Sequence, residues 1–132
     1  MTRREMRECM FCLLFQNEFY STQEFEEQRD NYLGEQKLSE PEEEELRQKL
    51  EQLVLHLPEI DEKIAATSKG WKLDRIAKAE LAILRLAVYE AGYDDGVPVG
   101  VAVNEAVELA KKYGEEEGSS FVNGILGKIV NE

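Results

Sequence analysis

The sequence has very few of the residues from which metal and redox sites are built. Its 132 residues include 2 cysteines, 1 histidine and 3 prolines. A structural zinc site needs about four ligands, which Cys9, Cys12 and His56 do not supply. The two cysteines form a lone C-x-x-C without the strand-to-helix context of a redox motif, so we predict that both are small apolar residues of a helix. No apolar run approaches the roughly 20 residues of a membrane span, and no membrane association is expected.

Catalytic motifs are missing as well. The stretch NGILGK ends like a phosphate-binding loop, but that motif needs a glycine where Val122 stands and a serine or threonine where Ile129 follows Lys128. The single histidine lies in a leucine-rich segment, which is typical of a structural residue. Carboxylates are abundant, but in runs that are typical of a solvated surface. The sequence therefore predicts a binding or scaffolding module that is not an enzyme and needs no cofactor.

The charge is strongly acidic but unevenly distributed. The formal net charge is −12, which taken alone argues against nucleic acid because phosphate contacts need lysine and arginine. The acid is concentrated in SEPEEEEL and YGEEEG, and we expect most charged residues to form solvated helix faces. The basic residues form smaller groups: Arg3, Arg4 and Arg7; Lys69, Lys72, Arg75 and Lys78; Lys111 and Lys112.

The first residues do not match an export signal. The start MTRREMRECMFCLLFQ combines basic residues with an apolar run, as a signal peptide does. However, Arg7 and Glu8 interrupt the run, and no small-residue cleavage site follows Leu14. We therefore predict a structured helix, from about Arg3 to Glu18, in a cytoplasmic protein.

Helical spacing of the apolar residues predicts about seven helices with short links, an all-α fold in one domain over residues 1–132. Ser21 and Ser39 each precede a glutamate by three positions, which is the pattern of a capping box at a helix start. Pro58 is expected to end or bend the third helix. The helix from about Leu73 to Ala91 is apolar nearly all round, so we expect it to be central and buried.

The last two helices are marked by glycines. The sixth helix is expected to end at Gly114 as a capping glycine, and Ser119 or Ser120 is expected to cap the last helix. That last helix carries Gly124 and Gly127, each of which costs roughly 1 kcal/mol against alanine inside a helix. For Gly124 we expect a close helix–helix contact, with close approach of RNA as the alternative.

The first helix has two apolar stripes, whereas a helix with one buried face needs only one. Phe11, Phe15 and Phe19 recur at every fourth position and form the second stripe. Either the helix is central in the core, or this stripe contacts a partner. The spacing alone favours the core.

Five stretches of the sequence stand out together. They are RREMREC at the start, GWKLDRIAKAE, ILRLAVYE, NEAVELAKKYG and SSFVNGILGKI, of which FVNG is the most specific. These stretches resemble the signatures of the NusB family, the transcription antitermination factors of bacteria. The resemblance covers the first helix and nearly all of the chain from Gly70 onward, and residues 21–69 match only in their helix pattern.

The resemblance implies an all-helical fold of two small helical subdomains without enzyme activity. It implies binding of boxA RNA, a short single-stranded element of ribosomal RNA leaders, together with a small-subunit ribosomal protein that doubles as NusE. That complex helps RNA polymerase to read through terminators while it transcribes ribosomal RNA operons. Whether the protein forms a homodimer is left open.

Single-stranded RNA is recognised by phosphate contacts, by stacking on aromatic rings and by hydrogen bonds to base edges. In the family the arginine-rich start contacts RNA, which here implies Arg3, Arg4 and Arg7. Phe121 with Asn123, in the first turn of the last helix, would supply a stacking face and an amide, although Phe121 fits the core equally well. Further candidates for RNA contacts are Lys69, Lys72, Lys111, Lys112 and Tyr113.

The resemblance also implies a partner surface on the first helix and at the start of the central helix. The matching positions here are Phe15, Phe19, Asp74 and Glu80. An acidic surface suits a basic ribosomal protein, and complementary charge speeds association. The net charge of −12 is then compatible with RNA binding, because acid faces the protein partner and base faces the phosphates.

Two other functions stay open at this stage. One is a related helical domain of the kind that is fused to ribosomal RNA cytosine methyltransferases as an accessory RNA module, although 132 residues leave no room for the catalytic domain. The other is a protein-interaction adaptor without RNA binding, which the acidity would suit. A steep salt dependence of RNA affinity, the mark of phosphate contacts, distinguishes an RNA-binding protein from an adaptor.

Overall fold

The computed structural model describes residues 1–19, 21–68 and 72–131. Within these ranges the chain forms seven α-helices and no strand, which confirms the predicted all-α fold. The helices group into two compact units, Met1–Val54 and Leu55–Glu132, in agreement with the two subdomains that the resemblance implies. No helix in the described part of the chain is long and apolar enough to cross a membrane.

The first unit is built from α1 (Arg3–Asn17), α2 (Thr22–Glu35) and α3 (Glu40–Leu55). Both predicted capping boxes are present. Ser21 Oγ accepts the N–H of Glu24 at 3.3 Å, and Ser39 Oγ accepts the N–H of Glu42 at 3.2 Å. Each side-chain oxygen satisfies a backbone donor that has no partner inside its own helix, so local sequence fixes where α2 and α3 begin.

Apolar residues at helical spacing form the core of the first unit. Helix α1 packs on α2. Cys9 is buried and Cys12 is half-buried, and neither forms a disulfide, in line with their prediction as small residues of a helix. The largest fully buried side chains of this unit are Met10, Phe11, Leu13, Leu33, Leu46 and Leu53.

The second unit surrounds one buried helix. It contains α4 (Leu57–Thr67), a short 3-10 turn (Leu73–Arg75), α5 (Lys78–Tyr93), α6 (Val99–Tyr113) and α7 (Gly118–Val130). Helix α5 packs on α4, α6 and α7. Residues 80–84 and 86–90 of α5 are all buried, which confirms the central helix predicted from its apolar sequence.

The central helix begins later than the sequence indicates. Leu73 lies in the 3-10 turn, and Ile76 follows it with extended backbone (φ −76°, ψ 134°), so that α5 starts only at Lys78. Ile76 is buried, and for this reason its spacing imitates one more turn of helix. By contrast, Pro58 lies in the first turn of α4 and separates that helix from α3, as predicted.

Candidate nucleic-acid interface

A capping box fixes the arginine-rich start at the N-terminus of α1. Thr2 Oγ1 accepts the N–H of Glu5 at 3.0 Å, and Glu5 Oε1 accepts the N–H of Thr2 at 2.8 Å. Arg3 and Arg4 are exposed, and Arg7 is half-buried. Because residues four apart lie on the same helix face, Arg3 and Arg7 share a face. The structure thus brings the three predicted arginines together on the first two turns of one helix.

The acidic helix α3 contacts this start. Arg3 Nη1 lies 2.7 Å from Glu45 Oε1, and the amino group of Met1 lies 2.6 Å from Glu42 Oε2. Hydrogen bonds from that amino group and from the Ser39 N–H lower the pKa of Glu42 to about 2. The Arg3 contact spans 42 positions of sequence, so no analysis of helical spacing could have found it.

A second basic group lies at the end of α6. Lys111, Lys112 and Tyr113 are all exposed. Lys112 Nζ lies 5.3 Å from the centre of the Tyr113 ring, within the range of a cation–π contact, and cations in a last helical turn are favoured by the helix dipole. Tyr113 is therefore an accessible ring beside a positive charge, a combination that single-stranded nucleic acids bind.

Gly114 ends α6 by a different route from the left-handed glycine cap that was predicted. Its φ of −84° and ψ of 177° are extended backbone that any residue adopts. A steric restriction favours glycine at this position, because a Cβ would lie 2.7 Å from the carbonyl oxygen of Ala110. The Gly114 N–H donates to that same oxygen at 2.8 Å.

The last helix begins before the two serines that were expected to cap it. Gly118 is its first residue, and no side chain caps its start. The Phe121 N–H donates to the Glu117 carbonyl at 3.1 Å, so this backbone donor is already used inside the helix. The Phe121 ring is half-buried and Asn123 is exposed. Phe121 therefore belongs partly to the core and keeps part of its ring accessible, and Asn123 presents its amide to solvent.

The buried carboxyl group of Glu80, on α5, holds the turn that precedes α7. Glu80 is 6% exposed and accepts a hydrogen bond from the N–H of Glu115. A Cβ on Gly118 would lie 2.8 Å from Glu80 Oε1, so glycine makes room for the carboxyl group. Within the described residues Glu80 Oε2 has no hydrogen-bond partner, and burial and the nearby charge of Glu115 raise the pKa of Glu80.

The burial of Glu80 differs from the exposed partner contact that the resemblance implies. A carboxyl group that is enclosed by its own chain offers little charge to a partner. Glu80 was a candidate because it matches a position of the family's partner surface at the start of the central helix. We therefore assign Glu80 a supporting role inside the second unit.

The aromatic stripe of α1 runs from the core to the solvent. Phe11 is 2% exposed and Phe19 is 56% exposed, and Phe15, which lies between them, is half-buried. The ring centroids of Phe11 and Phe15 are 5.9 Å apart, and those of Phe15 and Phe19 are 5.1 Å apart. Both predicted alternatives therefore apply, to different ends of the stripe: Phe11 is core, and Phe19 is available for contact.

The candidate residues before α5 are exposed where the structure describes them. Lys72 and Asp74 are both exposed, and Asp74 belongs to the 3-10 turn. Lys69 lies outside the described residues. Asp74 therefore remains an accessible acid for a basic partner, and Lys72 an accessible base close to it in sequence.

Two glycines leave an open strip on α7. No described atom lies within 4 Å of a Cβ built on Gly124 or on Gly127, so the helix–helix contact predicted for Gly124 is wrong. Ser120, Asn123 and Gly124 are exposed. Together with Gly127 they follow the i, i+3, i+4, i+7 spacing of one helix face, and we call these four residues the α7 strip. Another molecule can approach the helix backbone closely there.

His56 has a structural environment, as its position in the sequence predicted. Its ring stacks on Tyr93 with centroids 4.2 Å apart. Its Nδ1 lies 3.5 Å from Glu59 Oε2, and that oxygen also accepts a hydrogen bond from the Tyr93 hydroxyl at 2.7 Å. In residues 1–19, 21–68 and 72–131 no three potential metal ligands lie together.

Comparison with known proteins agrees with the motifs. The model of the NusB family matches residues 4–131. The chain belongs to the NusB family. A transcription antitermination protein NusB from Lachnoclostridium phytofermentans is 48% identical over 132 residues, which cover 99% of this chain and 100% of that protein.

Solved structures of NusB proteins share the fold. T. maritima NusB superposes with a TM-score of 0.89 at 33% identity and covers 100% of this chain and 92% of its own. A crystal structure of the antitermination factors NusB and NusE in complex with double-stranded RNA gives a TM-score of 0.82 at 26% identity, over 98% of this chain and 96% of that one. The seven-helix architecture is thus that of the NusB family.

Proposed function

We propose that the protein is a transcription antitermination factor that binds boxA-type single-stranded RNA of ribosomal RNA operons together with a NusE-type ribosomal protein. It acts in the cytoplasm, within the antitermination complex of RNA polymerase, and without enzyme activity of its own. Membership of the NusB family supports this function, as does the likeness to a NusB protein solved with NusE and RNA. In this chain the observation that carries the proposal is the open α7 strip.

Phosphates and bases are contacted by different groups in this proposal. Arg3, Arg4 and Arg7 bind phosphates from the first two turns of α1, and Lys111 and Lys112 do so from the end of α6. Lysine and arginine contacts of this kind are independent of RNA sequence and sensitive to salt. Lys69 and Lys72 are further phosphate candidates.

Bases bind on the second unit, near the start of α7. The exposed ring of Tyr113 and the accessible part of the Phe121 ring offer stacking surfaces, each of which contributes about 1–3 kcal/mol per stacked base. The Asn123 amide has a donor and an acceptor for a base edge. Because Gly124 has no side chain, RNA can approach the helix surface closely enough to reach that amide.

The ribosomal-protein partner binds through Phe15, Phe19 and Asp74. Phe19 is a large apolar side chain with 56% of its surface exposed, and exposed aromatic residues are typical anchors of protein interfaces. Asp74 supplies an accessible negative charge for a basic protein, which speeds association. Glu80 supports the turn before α7 and is not assigned a direct contact.

Gly124→Ala tests the RNA site with a variant whose folding stability should not fall. The added methyl group faces open space, so alanine should stabilise α7 by about 1 kcal/mol, yet it fills the surface that RNA approaches. We expect boxA RNA affinity, measured by fluorescence anisotropy, to fall about threefold to tenfold, which corresponds to about 0.7–1.4 kcal/mol.

Gly34→Ala is the matched control for this experiment. Gly34 also lies in a helix with no described atom within 4 Å of its Cβ position, but far from α7 in sequence. The control should bind RNA as the wild type does. Unchanged RNA affinity in Gly124→Ala, with the expected gain in stability, would remove the α7 strip from the RNA site.

A protein-interaction adaptor without RNA binding is the second candidate. The net charge of −12 and the pairing of Arg3 with Glu45 both favour it, since each reduces the positive charge that phosphates would meet. The slope of RNA affinity against salt decides between the two functions, because an adaptor has no phosphate contacts to lose.

A further inference from the structure

Two ion pairs join the start of α1 to one face of α3. Met1 pairs with Glu42, and Arg3 pairs with Glu45. Glu42 and Glu45 are three positions apart, so they share one face of α3. The start of α1 therefore lies beside an acidic face of α3.

The Arg3–Glu45 ion pair is exposed, so a phosphate can replace the Glu45 carboxylate on Arg3. Its side chains are 79% and 46% exposed, and exposed ion pairs of this kind are weak and screened by salt. A carboxylate and a phosphate are bound by the same guanidinium N–H donors. A phosphate that takes the Nη1–H donor used in this pair must therefore displace Glu45 Oε1, which lies 2.7 Å from that nitrogen.

We propose that Glu45 competes with RNA phosphate for Arg3 and so lowers the RNA affinity of the protein when it is alone. This inference rests on the proposed RNA-binding function. Glu45 occupies one of the guanidinium donors that a phosphate can use, and its negative charge repels phosphates nearby. Non-specific binding depends mainly on phosphate contacts, so the competition weakens binding to any RNA and leaves selection to the base contacts on the second unit.

The experiment compares Glu45→Gln with Glu51→Gln. Both variants remove one negative charge from α3, but Glu51 is exposed and lies six positions further on, on a different face. Fluorescence anisotropy of a labelled boxA-type RNA and of a scrambled RNA is measured at several salt concentrations. We expect Glu45→Gln to bind both RNAs roughly twofold to fivefold tighter at low salt, as the loss of one exposed ion pair predicts.

The salt slope gives a second readout. To the extent that Glu45 keeps Arg3 from phosphate in the complex, its removal adds up to one phosphate contact. That makes the slope of log affinity against log salt steeper by up to about 0.7 for single-stranded RNA. We expect this change in Glu45→Gln and not in Glu51→Gln. In an Arg3→Ala background, Glu45→Gln should produce neither the tighter binding nor the steeper slope.

Three results would overturn the inference while the proposed function stands. The first is an equal gain in RNA affinity for Glu45→Gln and Glu51→Gln, and the second is a gain for Glu45→Gln that persists in the Arg3→Ala background. The third is unchanged RNA affinity of Glu45→Gln when the wild-type protein binds boxA RNA. If the wild-type protein with its partner shows no preference for boxA RNA over the scrambled sequence, the proposed function fails, and the inference fails with it.

Discussion

At the residue scale, Glu80 and Gly118 depend on each other. The Glu80 carboxyl group accepts the Glu115 N–H, and a Cβ at position 118 would lie 2.8 Å from its Oε1, so glycine leaves room for the carboxyl group where it stands. A buried acceptor with a donor stabilises the fold, whereas a buried polar group without one is costly. This pair therefore fixes the turn from which α7, with Phe121, begins.

Replacing Glu80 separates its hydrogen bond from its charge. Glu80→Ala should lower the free energy of unfolding by about 1–3 kcal/mol, because the Glu115 N–H loses its acceptor. Glu80→Gln keeps an acceptor and should lose less. Denaturant titrations of the two variants check this order, and equal losses would mean that the hydrogen bond contributes nothing.

The same residue predicts a pH dependence. Burial raises the pKa of Glu80 above its ordinary value of 4.5, so above pH 4.5 the unfolded chain releases this proton while the folded chain retains it. Folding stability should therefore fall as pH rises from 4.5 through the folded pKa, and Glu80→Gln should lack this fall. Parallel stability curves for the wild type and Glu80→Gln would contradict the assignment.

Glu42 should act in the opposite direction. Its pKa is lowered from 4.5 to about 2, so its stabilising contribution is complete above pH 4.5 and is lost as pH falls towards 2. Glu42→Gln keeps the capping box and removes the charge, so the variant should be less stable at neutral pH and should differ less from the wild type near pH 2. Glu51→Gln, on the same helix, is the control for the loss of one negative charge.

At the scale of the elements, the sequence predicted where a helix begins when a side chain nearby in sequence caps it. It did not predict where a helix begins when a contact with another helix sets the start. Ser21 and Ser39 carry their capping partners three positions away in sequence, and both helices begin there. Helix α7 begins at Gly118 because the turn before it is held by Glu80, which belongs to another helix. The spacing of apolar residues describes one helix at a time, so it does not predict the contact of Glu80 with the turn before α7.

The glycines of the second unit differ in what surrounds them. Alanine at Gly114 would place a Cβ 2.7 Å from the Ala110 carbonyl oxygen, and relief of that clash should cost about 1–3 kcal/mol. Gly124→Ala should instead gain stability. Thermal or denaturant midpoints of the two variants test this contrast, and a stable Gly114→Ala would show that the end of α6 shifts at little cost.

For the candidate site, the sequence predicted several of the residues but not the contacts between helices. Motifs that resemble the NusB family indicated Arg3, Tyr113, Phe121 and Asn123, and three of these are exposed while Phe121 is half-buried. Sequence could not show that Glu45 pairs with Arg3, because the two residues belong to different helices of one unit. It also could not divide the aromatic stripe of α1, because periodicity gives the face of a helix but not where the core ends along it.

At the scale of the whole molecule, the proposed function requires an acidic protein to bind an acidic ligand. The net charge of −12 opposes RNA at long range, and salt screens this repulsion over about 8–10 Å. In the proposed function, binding therefore depends on local groups, the arginines of α1 and the end of α6, and on a basic partner that neutralises part of the acid. On this account the protein alone binds RNA weakly, and the partner strengthens binding.

The most direct test is fluorescence anisotropy of a labelled boxA-type RNA, titrated with the protein in the presence and absence of a NusE-type ribosomal protein at two salt concentrations. A scrambled RNA and a duplex of the same sequence are the controls. We predict that boxA RNA binds more tightly than both controls, that the partner increases the affinity, and that higher salt reduces it. Equal affinity for boxA and scrambled RNA, with the partner present and bound, would contradict the account.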